Sequence, residues 1–279
     1  MVSAALLVIS ALAQGSAWNA TQRPFRLYGN TYYVGVQGLS SILITSDQGH
    51  VLIDGDLQES APKIAASIRA LGFRIEDVKL ILNSHVHSDH AGGIAGLQRM
   101  SGATVVASPS SAKVLQEGHS GPDDPQYGSL RAIQPVASVR IVKDGEHIQV
   151  GSIDLTAHLT PGHTPGGTTW TWKACENERC LHIVYADSLR PISADKFQFA
   201  HNSTYPHVLK DFEKSFRTLE DLQCDILVTP HPEESELWKR LKRRDHDGES
   251  DALIDSTACR RLAHASRLRL EARVASETK

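Results

Sequence analysis

The chain has 279 residues, with 29 Lys and Arg against 32 Asp and Glu and a formal net charge of −3. That length allows one large domain or two small ones around an ample core, and the mildly acidic balance excludes a protein built to hold polyanions. The densest basic stretch, Lys239-Arg240-Leu241-Lys242-Arg243-Arg244, runs into Asp245, Asp247, Glu249 and Asp251 and reads as a solvated helix end and loop.

In chain order, residues 2–13 are apolar but too few to span a bilayer, and Ala11-Leu12-Ala13 has the small residues of a cleavage site. Residues 1–17 are therefore predicted to be a signal peptide, cut after Ala13 or Ala17, although the charged segment usual at its start is missing. The rest, 18–279, shows no hinge-like linker and is predicted to be one domain. Strand-like runs fall at 31–35, 41–45, 51–54, 79–82, 104–107, 153–160, 168–172, 181–185 and 226–229. Helical patterns fall at 60–71, 92–100, 110–116, 208–222 and from about 257 onward. Ile64, Ile68 and Leu71 recur at helical spacing behind Pro62, and Leu209, Phe212, Phe216 and Leu219 form one apolar stripe. The alternation supports a layered α/β fold. The loop 118–135 is long for a compact domain and rich in Gly, Pro, Ser and Asp, which suits a functional loop. Cys175 and Cys180 bracket a short polar turn between two strand-like runs, a hairpin that a disulfide can staple.

The feature with most chemical content is His85-Val86-His87-Ser88-Asp89-His90, directly after the apolar run Leu80-Ile81-Leu82. Three imidazoles and a carboxylate in six residues exceed anything packing requires, and the donor set suits zinc, manganese or iron. In an extended loop alternate residues share a side, so His85, His87 and Asp89 are expected to converge while His90 faces away. One tetrahedral ion cannot use all four groups and keep a site for water, so two ions are predicted. Further ligands are nominated at strand ends. His163 stands in the rigid turn Pro161-Gly162-His163-Thr164-Pro165-Gly166, and His231 in Thr229-Pro230-His231-Pro232. His85, His87 and His163 would hold the first ion, and Asp89, His90 and His231 the second. The remaining histidines are read as structural or solvated.

These motifs resemble the metallo-β-lactamase superfamily from about residue 28 to the C-terminus. Ala186-Asp187-Ser188-Leu189, His90 after the Asp, and the pair Cys224 and Cys259 make subclass B3 the best match within it. The resemblance implies a four-layer αβ/βα sandwich, a Cys224–Cys259 disulfide, and two Zn²⁺ per chain. It also implies a periplasmic or secreted β-lactamase that opens penicillins, cephalosporins and carbapenems with a metal-activated hydroxide and confers antibiotic resistance. Two zinc ions roughly 3.5–4 Å apart lower the pKa of a shared water from 15.7 to about 7. His85, His87, His163 and Asp89 would then be the catalytic set, with Asp89 orienting the nucleophile.

The expected partner is a small β-lactam, with no nucleic acid and no membrane, and the expected state is a monomer. Ser188 and Arg190 are the substrate-binding candidates. Arg190 stands where the subclass commonly has a Ser that contacts the substrate carboxylate, and a charge-assisted contact is expected in its place. Asp54 and Asn83 are expected to fix the loop behind the ligands. Superfamily lactonases and thioesterases bridge their metals with an Asp on this strand end. If Asp187 rather than Ser188 faces the metals, the chain is instead an ester hydrolase, such as an acyl-homoserine lactonase or a glyoxalase II-like thioesterase. A nuclease is disfavoured by the lack of a basic channel, and a non-catalytic protein by the intact ligand set.

Overall fold

The computed structural model describes residues 17–277, so the predicted signal peptide lies outside the described residues except for Ala17. Two sheets face each other. The first runs β1 (Phe25–Tyr28), β2 (Thr31–Tyr33), β3 (Ile42–Ser46), β4 (Gly49–Ile53), β5 (Val78–Leu82), β6 (Thr104–Ala107) and β7 (Val139–Ile141), ordered as in the chain. Its first four strands are antiparallel, and β4 to β7 are joined by parallel pairings. The second sheet holds β8 (His147–Val150), β9 (Ile153–Leu159), β10 (Thr168–Glu176), β11 (Arg179–Tyr185) and β12 (Ile226–Val228), with β12 parallel to β11 at one edge.

Alternation along the strands supplies the layers. In β4, Val51 and Ile53 join Trp170, Trp172, Ile183 and Tyr185 in the core between the sheets, while Leu52 points to the outer face. Helices cover both outer faces: α1 (Ala61–Ala70), the single turn α2 (Ser88–Ala91), α3 (Ile94–Ser101) and α4 (Pro109–Glu117) on the first side. There Leu43, Leu52, Ile81 and Val105 pack against Ile64, Ile68, Ile94, Leu97 and Leu115. On the second, α5 (Val208–Asp221) and α7 (Ala258–Glu277) bury Phe212, Phe216, Leu219, Leu262 and Leu270 against Val184 and Leu227. The result is the four-layer αβ/βα sandwich. Strands buried on both faces read as apolar runs, which is why β4, β5 and β6 were legible.

Several elements differ from expectation. β1, β7 and β8 were not predicted; they are short and mostly exposed or half-buried at their side chains, so periodicity leaves little mark. The basic run lies in α6 (Leu237–His246) and reaches its last turn, with the loop following as expected, but it is not all solvated. Arg240 is buried, with its guanidinium on Asp255 at 2.9 Å. The helix expected at 92–100 runs over 94–101 as α3, separated from the turn α2 by Gly92 and Gly93, where any Cβ would collide with the backbone of Ser88 or Gly55. Two disulfides are present. Cys175–Cys180 crosses the β10–β11 hairpin, and Cys224–Cys259 ties the entry to β12 to α7. No described helix is long and apolar enough to cross a membrane.

Phe212 links this packing to the turn that carries His163, because a Cβ on Gly162 would lie 2.7 Å from its ring. Phe212→Ala is expected to cost about 3–5 kcal/mol, as for other buried aromatic truncations. Urea unfolding of the metal-free protein measures this, and a loss under 1 kcal/mol would contradict the packing described.

Candidate metal centre

The candidate ligands come from three separate chain segments, 85–90, His163 and His231. β5 ends at Leu82, and the following loop is pinned from below by Asp54. The Asp54 carboxylate accepts hydrogen bonds from Ser84 N–H at 2.7 Å, Ser84 Oγ at 2.5 Å and Tyr185 Oη at 2.8 Å. Asn83 Nδ2 donates to the carbonyl of His85 at 2.6 Å, and the carbonyl of Asn83 accepts from Trp170 Nε1 at 3.1 Å. Burial pushes the Asp54 carboxyl up to about 7 despite these donors. Asp54 and Asp56 both adopt positive φ, at 60° and 54°, an uncommon conformation for residues other than glycine. Both Asp54 and Asn83 therefore fix the loop, as expected.

His85, His87 and His163 bring one ring nitrogen each to within 4.8 Å of one another, and so do the donors of Asp89, His90 and His231. The two triads adjoin, with His85 and His90 ring centroids 4.4 Å apart. All six predicted ligands are thus brought together in the predicted grouping. The local reasoning needs one correction. Residues 88–91 form a helical turn, with Ala91 N–H donating to the carbonyl of His87 at 2.8 Å, so alternation stops at His87. Asp89 does not side with His85 and His87; it converges with its neighbour His90, whose Nε2 lies 3.2 Å from Asp89 Oδ2. His231 Nε2 stands 3.4 Å from the same oxygen.

The donor chemistry fits metal ions. A ligating imidazole must be neutral. Burial, reinforced by the neighbouring histidines, holds His85 well below its ordinary value, and burial also lowers His90. His163 is lowered to about 3, again chiefly by burial and then by His87. His85 Nε2 is buried without a hydrogen-bond partner, as a lone pair aimed at a cation would be. Burial alone would raise Asp89, but His90 and His231 outweigh it and hold the carboxylate ionised. His231 is raised, because the hydrogen bond and charge of Asp89 overcome its burial. A divalent cation would answer the same charge that favours that proton.

The far side of three of the rings is held as well, which orients a ligand. His85 Nδ1 lies 2.7 Å from Asp187 Oδ1, His163 Nδ1 donates to the carbonyl of Arg190 at 2.8 Å, and His231 Nδ1 faces the carbonyl of Gly38 at 3.3 Å. Asp187 is fully buried behind His85, and burial pushes its carboxyl up. Gly167 makes room for it: a Cβ there would sit 2.3 Å from Asp187 Oδ2. Ser188 follows, buried as well, and Arg190 is half-exposed with Nη1 at 3.5 Å from Glu234 Oε1.

Sequence reasoning missed three residues. Asp124 is buried with its carboxylate 3.2 Å from His87 Nε2, and the interaction with His87 keeps it ionised against the opposing effect of burial. Gln126 places its Nε2 3.3 Å from His87 Nδ1, and Glu234 contacts Arg190. Asp124 and Gln126 lie in the loop 118–135 that was singled out as functional, but nothing in the sequence distinguished Asp124 from Asp123. The remaining histidines stay outside both triads; His147, His158 and His182 pair instead with Asp154, Thr171 and Asp225.

The family model described as the metallo-beta-lactamase superfamily matches residues 34–176, and the chain belongs to that superfamily. The solved structure of Rm3 metallo-beta-lactamase superposes with a TM-score of 0.93 at 57% identity, covering 95% of this chain and 98% of that one. MEM-A1, a subclass B3 metallo-beta-lactamase from a soil metagenome library, gives 0.91 at 52% identity over 94% and 98%. The hydroxyacylglutathione hydrolase of Yersinia pestis (strain Pestoides F) is 32% identical over 124 residues, 44% of this chain. The chain spans 39% of the length of that relative. The resemblance to the superfamily, and to subclass B3 within it, therefore holds.

Asp124→Ala and Asp187→Ala are each expected to lower zinc affinity about 10–100-fold, the usual effect of losing a partner behind a ligating His. Competition against a chromophoric chelator reads this directly. Wild-type affinity in both variants would show that neither carboxylate orients a ligand.

Proposed function

We propose that the chain is a secreted di-zinc β-lactamase that hydrolyses the strained amide of penicillins, cephalosporins and carbapenems. The observation that carries this is the pair of adjoining triads, five imidazoles and one carboxylate, in a chain alike over nearly its whole length to subclass B3 metallo-β-lactamases. Two disulfides support an oxidising compartment, periplasmic or extracellular. Zinc, when bound, supplies a Lewis acid and a water of pKa near 7.

The chain's own groups do the positioning. Imidazoles that ligate a metal are neutral, so the only formal negative charge among the six candidate ligands would be on Asp89. A site charged so weakly by its ligands stays net positive with two divalent ions, and it favours a substrate carrying a carboxylate beside the scissile amide. Asp89 Oδ2, near both His90 and His231, is the acceptor placed to orient an attacking water. Asp187 keeps a hydrogen on His85 Nδ1 and so leaves Nε2 as the donor. Arg190 on the rim is the group for the substrate carboxylate, with Ser188 beside it in the chain.

The thioesterase reading draws on the hydroxyacylglutathione hydrolase likeness. Against it, Asp187 is engaged at the back of His85 and is not among the ligand donors, so it does not serve as a bridging carboxylate.

Purified mature protein is expected to hydrolyse a penicillin and a carbapenem, to stop with EDTA, and to recover with added zinc. A protein carrying two zincs that opens neither ring, yet cleaves a glutathione thioester, would reverse the two readings.

A further inference from the structure

We propose that Glu234 is a positioning residue that fixes the Arg190 guanidinium on the rim of the metal centre and so sets how tightly carboxylate-bearing ligands are held. The inference rests on the β-lactamase reading for its natural ligand, but the pair itself is defined by geometry.

Each partner is rooted on a different triad. The carbonyl of Arg190 accepts the hydrogen bond from His163 Nδ1 at 2.8 Å, which ties its backbone to the first group of ligands. The backbone N–H of Glu234 donates to the carbonyl of His231 at 3.0 Å, which ties it to the second. From these two roots the side chains meet, Nη1 to Oε1, at 3.5 Å. The ion pair therefore closes a short bridge between the loop after β11, which backs His163, and the loop that delivers His231.

The two ends are unequal. The Arg190 side chain is 46% exposed and that of Glu234 only 13%. Glu234 Oε1 is buried with no hydrogen-bond partner, so its charge depends on the nearby guanidinium. A guanidinium has five N–H donors, and a single ion-pair contact leaves its other edge free for a second carboxylate. A long arginine on a surface would otherwise spread over many rotamers, and ordering it on binding weakens affinity. Glu234 supplies that order in advance. It also makes the loss of Arg190 worse than neutral: an unpaired buried carboxylate would then face an incoming anion.

The test uses the zinc-loaded protein, with zinc content measured in every variant. Penicillin hydrolysis is compared with that of the penicillin methyl ester, which lacks the charge. Glu234→Gln is expected to raise KM for the penicillin about three- to tenfold with kcat within about twofold, and to leave the ester unchanged, in line with loss of charge-assisted order. Glu234→Asp is expected to recover part of the effect. Arg190→Ala should raise KM more than the double variant Arg190→Ala/Glu234→Ala, because the double variant leaves no stranded carboxylate. A KM for the penicillin that falls or stays constant in Glu234→Gln would show that Glu234 masks Arg190 or does nothing, and the proposal would be lost. An equal rise for the ester would overturn it too, since that marks a general structural defect.

Binding of mercaptoacetate against 2-mercaptoethanol, by calorimetry, gives the same ratio without catalysis. If the wild-type protein opens no β-lactam, the proposed function fails alone. The affinity ratio of the two thiols then decides the role of the pair: a ratio reduced by Glu234→Gln supports it and an unaltered one overturns it.

Discussion

Bringing five imidazoles together is unfavourable for any protein in which those rings can take up protons, since each added charge repels the rest. The rest of the structure answers that constraint. Burial keeps His85, His90 and His163 neutral, and Asp89 is the one ligand whose charge the neighbouring rings favour. Neutral rings still have two nitrogens, and the wrong tautomer would turn an N–H toward the metal. The outer partners settle this: Asp187 behind His85, the Arg190 carbonyl behind His163, the Gly38 carbonyl behind His231. Asp124 stands behind His87, while His90 Nδ1 is buried with no hydrogen-bond partner.

The sandwich exists to hold those partners as much as the ligands. β5 ends at the His85 loop, β11 ends just before Asp187, and β12 ends just before His231. Tyr185, the last residue of β11, reaches across from the second sheet to the Asp54 carboxylate of the first at 2.8 Å. Thr168 N–H, at the start of β10, donates to the carbonyl of Ser84 at 2.8 Å. The two sheets are thus cross-linked by hydrogen bonds directly beneath the metal centre, where a shift of either sheet would spoil the ligand geometry. Buried carboxyls such as Asp54, raised to about 7, carry a folding cost that the surrounding apolar core offsets.

A single Asp marks the difference between the two enzyme readings. Its side chain is taken up by His85, and Gly167 leaves room for it there and for nothing larger on the facing turn. Arg190 and Glu234, which belong to neither triad, form an ion pair beside the residues that back His163 and follow His231.

Much was legible in the residues because much of it is local. The His85–His90 cluster and the turns around His163 and His231 concentrate ligands and rigid backbone in short stretches, and the apolar runs of β4, β5, β6 and β12 mark strands buried on both faces. β1, β7 and β8 escaped because short, partly exposed edge strands bury too few side chains to impose a period. The direction of Asp89 escaped because a helical turn begins one residue after His87, and a single turn has no periodicity to read. The sequence alone singled out the six candidate ligands and their division into two triads, since metal chemistry restricts ligands to a few residue types. Only the tertiary structure decided that Asp187 stands behind His85, that Asp124 rather than Asp123 backs His87, and that Glu234 meets Arg190. Those contacts join residues 37 to 102 positions apart. Any Asp or Glu can make such a contact, so packing, and not residue type, selects the partner.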